Sequence, residues 1–223
     1  MPGGVERGRA ETGVVHVCGF ALTSRSMLKL AAALVFIPVL VDASPLDDSR
    51  VAADAAPKDA NAQFNYGLAL MTSIEPQLRS GQLEDDDKKV AAEADKAYER
   101  AIKVAPNHGR AQIMLGMLCN FTKQYERAIP HLRKGMQLPK DSSDWFIAAD
   151  TLINVYFNQN KPAPAVPVLE QIVKQRPSDA NAHYKLGLAY MFTQKRERAK
   201  TELERTLELQ PDHADARKQL ATL

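Results

Sequence analysis

The chain carries one phrase twice. DANAQFNYGLAL begins at Asp59 and DANAHYKLGLAY begins at Asp179, 120 residues later. Self-similarity at a distance constrains a fold more tightly than composition does, because each copy must do the same structural job. Prolines mark the interval. Pro57, Pro106, Pro139, Pro177 and Pro211 each follow a stretch of helical character, such as RAIKVAP and RTLELQP, at spacings of 49, 33, 38 and 34 residues. Proline cannot donate to a continuing helix, so it closes one helix and opens the next turn.

Between the prolines, apolar residues recur at helical spacing in two bursts. In the last block Leu186, Gly187 and Tyr190 share a face of one helix. Ala199, Leu203 and Thr206 share a face of a second, with TQKRE between them. The other blocks pair Tyr66, Gly67 and Leu70 with Ala94, Tyr98 and Ala101; Leu115, Gly116 and Cys119 with Ala128, Leu132 and Gly135; and Leu152, Ile153 and Tyr156 with Ala165, Leu169 and Ile172. The small residues have a physical purpose. Gly67, Gly116 and Gly187 let the second helix of a hairpin approach the first, and Ala94, Ala128, Ala165 and Ala199 do so from the other side. One hairpin cannot bury its apolar face alone, whereas a stack of three or more can. The expected class is all-α.

These blocks resemble tetratricopeptide repeats, helix–turn–helix units of about 34 residues. The family's small residue at the eighth place matches Gly67, Gly116 and Gly187. Its alanine at the twentieth matches Ala94, Ala128, Ala165 and Ala199, and its late proline matches Pro106, Pro177 and Pro211. The resemblance implies a right-handed superhelical solenoid of about four hairpins plus a C-terminal capping helix. Repeats are expected at about 60–108, 109–142, 146–179 and 180–213, with the cap at 214–223 and residues 44–57 as a linker. Two departures disturb the beat. The first block carries extra residues over 73–88, and the third begins late, around SSDW. Discounting both leaves three periods between the two phrases. The third block also has Ile153 where the others have glycine, and crowds Pro162, Pro164 and Pro167 near its second helix. That helix is expected to start late, or that hairpin to open wider.

The N-terminal 43 residues differ in kind. Arg25 and Lys29 precede an apolar run, Leu30–Val41, and Val41 and Ala43 suit the −3 and −1 places of a cleavage site. This is the layout of a secretory signal peptide. The run is shorter than the roughly 20 residues a membrane-spanning helix needs. Met27 sits where such a peptide would begin, which makes the first 26 residues an expected upstream extension. Export is the expectation, and a membrane-anchored structural scaffold held by residues 28–41 is the alternative. The membrane is then met only in transit or through that uncleaved anchor.

Net charge is +2, with Lys and Arg alternating with Asp and Glu. A nucleic-acid binder would show a clustered basic surface, so that partner class is not expected. No cofactor or metal is expected either. His16, His108, His131, His183 and His213 have no ligand-spaced companions, and no HExxH or CxxC occurs. LEDDDKK lacks the alternating ligands of a calcium loop; Asp85–Asp87 suit a helix N-terminus instead. Without a nucleophile elbow, P-loop or dinucleotide glycine motif, an enzyme is not expected.

What the resemblance leaves is recognition of another protein or an extended peptide. The family's first helices line the concave face of the solenoid. Residues one step off the packing face are then Asn61, Phe64, Asn65 and Leu68; Arg110, Ile113, Met114 and Met117; Asp150, Thr151 and Asn154; and Asn181, Tyr184, Lys185 and Leu188. Asparagine both donates and accepts, so a row of them can hold a peptide backbone. Methionine and aromatic side chains supply adaptable apolar contact. Some members of the family clamp a C-terminal carboxylate with basic residues. Here Arg110 and Lys185 fall on non-adjacent hairpins, so that clamp is not supported.

Overall fold

The computed structural model describes residues 44–223, and those residues form eleven α-helices with no strand among them. The presequence features, including Leu30–Val41, lie outside the described residues. Four hairpins follow one another. Helices α2 (Ala60–Ser73) and α4 (Asp85–Val104) make the first, α5 (Gly109–Phe121) and α6 (Tyr125–Gly135) the second. Helices α7 (Ser143–Asn158) and α8 (Val166–Gln175) make the third, α9 (Ala180–Phe192) and α10 (Arg196–Leu209) the fourth. Helix α11 (Ala214–Leu220) packs on α10 at the C-terminal end.

Two segments differ from expectation. Residues 44–57 are not a linker. Pro45–Ala55 is a helix, α1, begun by proline in its first turn and capped by Ser44 Oγ, which accepts from the Asp47 amide at 3.2 Å. It packs on α2 through the buried Ala53, standing where the second helix of a preceding hairpin would stand. Its short apolar content (Leu46, Val51 and alanines) carries no strong periodic signal. Within 73–88, Glu75–Ser80 forms a short helix, α3, anchored by the buried Ile74 and Leu78 and ended by Gly81 at φ 70°. Asp85–Asp87 occupy the first turn of α4. Glu84 is the cap, and the Asp87 carboxylate accepts from its amide at 3.0 Å.

The turn between repeats recurs four times. Ala56, Ala105, Arg176 and Gln210 lie at φ near −130° with ψ between 66° and 89°, each directly before a proline. The proline ring disfavours the helical region for the residue ahead of it, so the helix ends there. The next helix then starts on Asp59, His108, Asp179 or His213, whose side chain accepts from the amide three residues on. The repeated histidines therefore act as caps.

A buried polar side chain ties three of the four first helices to the segment behind them, the last turn of α1 for the first and the inter-repeat turn for the other two. Gln63 Nε2 donates to the Ala53 carbonyl (2.8 Å), and Gln112 Nε2 to that of Pro106 (3.0 Å). His183 Nε2 lies 3.2 Å from the Pro177 carbonyl. The other end of each side chain meets its own second helix, at Arg100, His131 and Glu202 respectively. The third repeat has Ala149 at this place and lacks the tie. Its hairpin is also the open one. A 3₁₀ turn over Ala163–Ala165 precedes α8, which packs more on α9 than on α7. Ile153, fully buried, fills the space that glycine leaves elsewhere.

The second tie has a pH consequence. Gln112 donates its amide to a carbonyl, so its Oε1 is the acceptor for His131 Nδ1–H at 2.7 Å. Burial, then the charges of Arg127 and Lys134, hold the His131 pKa below its ordinary 6.5, against the opposing pull of Asp95 and Glu99. A depressed folded value means that the unfolded chain takes the proton first, so stability falls as pH drops below 6.5 until the folded value is reached. Thermal melts from about pH 7 to about pH 5 check this. The His131→Gln variant should lose part of the decline; an unchanged slope would remove His131 as its source.

Candidate functional site

Consecutive first helices lie side by side and are stitched across their exposed edges. From α2, Asn61 Oδ1 meets His108 Nε2 at 3.1 Å, and the Phe64 ring packs on the His108 ring with centroids 5.1 Å apart. From α5, Arg110 Nε donates to Asp144 Oδ2 at 2.9 Å, and Asn158 Nδ2 on α7 donates to Asn120 Oδ1 at 3.1 Å. From α9, Lys185 Nζ donates to Asn154 Oδ1 on α7 at 3.1 Å. The Tyr184 ring packs on His213, 4.5 Å between centroids, which repeats the Phe64–His108 arrangement three repeats later. The result is a run of side-chain contacts from α2 through α5 and α7 to α9, the last step carried by Lys185 alone.

The candidate residues divide on this face. Asn61, Arg110 and Asn154 are exposed but already bonded to a neighbouring repeat. Asn65 and Asn181 are exposed and make no side-chain hydrogen bond among the described residues. Phe64, Met114, Met117, Tyr184, Lys185 and Leu188 are half-buried, offering an edge rather than a whole side chain. Leu68 is 37% exposed and, with Asn65, Ala69 and Thr72, faces Pro45, Leu46 and Ser49 of α1 across an apolar cleft of about 680 Å³. Asp150 is exposed beside Lys185; loss of hydration holds its carboxyl above the usual range, partly offset by the Lys185 charge.

Ile113 is a correction. It is 3% exposed and packs against Gly135 of α6, so it belongs to the core. Thr151 is buried as well, its hydroxyl donating to the Ile147 carbonyl at 2.7 Å. Both errors are one helical step. Two residues that phase alone passed over belong on the face: Ile147, 43% exposed in the second turn of α7, and Phe192, 53% exposed at the end of α9. Ile147 stands seven residues before Asn154 and Phe192 seven after Lys185, two turns along the same stripe.

Among the described residues, no helix is long and apolar enough to cross a membrane. Family models described as tetratricopeptide repeat match residues 91–139 and 156–223. No curated protein sequence matches the chain. Among solved structures, MamA aligns at TM-score 0.58 with 17% identity, over 80% of this chain and 90% of that one. YrrB, described as a TPR protein with an unusual peptide-binding site, aligns at 0.52 with 21% identity, over 80% and 100%. PilF of Pseudomonas aeruginosa aligns at 0.54 with 16% identity, over 78% and 77%. At such identities the likeness concerns the fold, and the fold is the one the repeats require. The recurrent turns, the glycine-seated hairpins and the two family matches place this chain in the tetratricopeptide repeat family.

Proposed function

We propose that the chain is an exported adaptor that binds a protein or extended peptide along the first-helix face, read as the concave face of the solenoid, without chemistry of its own. The observation that carries this reading is the pair Asn65 and Asn181, exposed amides on α2 and α9 with no partner among the described residues, on a face otherwise closed by cross-repeat bonds. Free amides spaced along a groove suit a peptide backbone, which offers both donors and acceptors. The peptide-binding site named for YrrB is in keeping with this use of the fold. Export rests on the positive flank, the apolar run and the small residues before Ser44. Cleavage after Ala43 leaves Ser44, the cap of α1, in place.

Replacing Asn65 and Asn181 together with alanine is expected to weaken partner binding about tenfold, since a net hydrogen bond contributes roughly 0.5–1.5 kcal/mol. Helicity by circular dichroism should not change. Titration of the affinity-captured partner measures the first, and undiminished affinity would remove these residues from the site. N-terminal sequencing of the native protein tests export. A start at Ser44 in a soluble fraction supports it, whereas an intact Leu30–Val41 in the membrane fraction favours the anchored scaffold.

A further inference from the structure

The first helices carry balanced charge on this face, Arg110 and Lys185 against Asp144 and Asp150. Arg110 is paired with Asp144 at 2.9 Å, and Lys185 reaches Asn154 at 3.1 Å beside Asp150. Apart from Asp150 and Lys185, what the face leaves free is apolar or amide. Five large hydrophobic side chains are exposed among the described residues, and three of them, Leu68, Ile147 and Phe192, fall on this one face, one each on α2, α7 and α9. Isolated exposed apolar residues are ordinary; what singles out this face is that it holds three of the five, together with the two unpartnered amides. We infer that the occupant of this groove is an extended, uncharged segment whose aliphatic or aromatic side chains meet Leu68, Ile147 and Phe192 and whose backbone meets Asn65 and Asn181, rather than a charged tail or a free carboxylate terminus. This rests on the peptide-binding reading above and adds the chemistry of the partner.

The physical ground is selective cost. A charged peptide would have to shed water against a face whose own charges already balance, two basic against two acidic, so it gains little net attraction in return. A neutral one displaces water from apolar surface and leaves the wall pairs intact. Binding should therefore be nearly indifferent to salt, because no net charge is screened.

The experiment is fluorescence anisotropy on the purified protein with three sets of short labelled peptides. One set alternates Ser or Asn with Leu or Phe and has both ends blocked. The second replaces the apolar residues with Lys or Glu. The third repeats the first with a free carboxylate terminus. The neutral blocked set is expected to bind at least about tenfold tighter than the charged set, a gap typical of losing one anchoring group, with no salt dependence. Ile147→Asp and Phe192→Asp, both at exposed positions, should each reduce that binding about as much while leaving the circular dichroism spectrum unchanged. If charged or carboxylate-terminated peptides bind more tightly, fade with salt and still depend on Asn65 and Asn181, the inferred chemistry is wrong and the groove stands. If no set binds, or none responds to any of these substitutions, the groove reading itself falls. Self-association in the ultracentrifuge that Ile147→Asp abolishes would make the occupant a second copy and overturn the assignment.

Discussion

Trp145→Ala is expected to lower the thermal midpoint by about 10 °C, the equivalent of a large-to-small change worth roughly 3–5 kcal/mol in a domain of this size. Trp145 is 1% exposed in the first turn of α7 and meets Phe146 edge-on at 5.1 Å. Its position makes it matter more than its size alone. Three repeats are tied to the segment behind them by Gln63, Gln112 or His183, and the third, with Ala149, is not. The packing of α7 on α6 must then do much of the work of registering the third repeat on the second, and Trp145 is the largest fully buried side chain on α7. In a stack where each repeat touches only its neighbours, a weak junction uncouples the two ends. The variant is therefore expected to melt over a broader range, or in two steps, by circular dichroism and calorimetry. A single sharp transition at the wild-type midpoint would show that the junction does not depend on this side chain. Tryptophan fluorescence cannot serve as the probe, because Trp145 is the chain's one tryptophan.

Gly116→Leu is the second large effect, at roughly 1–3 kcal/mol from overpacking, or several degrees of melting temperature. A Cβ on Gly116 would stand 2.6 Å from Leu132 Cγ and 2.7 Å from its Cδ2, tighter than the 2.9 Å that Gly187 leaves against Leu203. Leu132 is fully buried and has nowhere to swing. The protein contains the control experiment. At the matching place in the third repeat Ile153 is present, and there α8 has moved off α7 toward α9. Gly116→Leu should drive α6 away from α5 in the same way. Adding Leu132→Ala returns the space, so the double variant should be less destabilised than the two single changes together predict. Strict additivity would mean that the two residues do not oppose each other as described.

The Gly116–Leu132 contact also shows why so much of the fold was readable. In a stack of hairpins the decisive contacts join residues within one repeat or the next, so short-range periodicity carries tertiary information. Gly67, Gly116 and Gly187 announced close helix approach, and Ile153 with its nearby prolines announced the hairpin that opens. The face for recognition was less legible. Neighbouring positions on a helix differ by about 100° of rotation, so one step of phase moved Ile113 and Thr151 from groove to core and hid Ile147.

Period, helix pairing and the places where helices must end were thus determined by the amino-acid order itself, through proline, glycine and the apolar repeat. Tertiary structure alone decided that residues 45–55 fold against α2, that Asn61 and Asn154 are taken up by His108 and Lys185, and that Asn65 and Asn181 find no partner among the described residues. The reason is physical. Backbone preference and burial pattern act along the chain, but whether a polar side chain is free depends on which atom of the neighbouring repeat comes within about 3 Å of it.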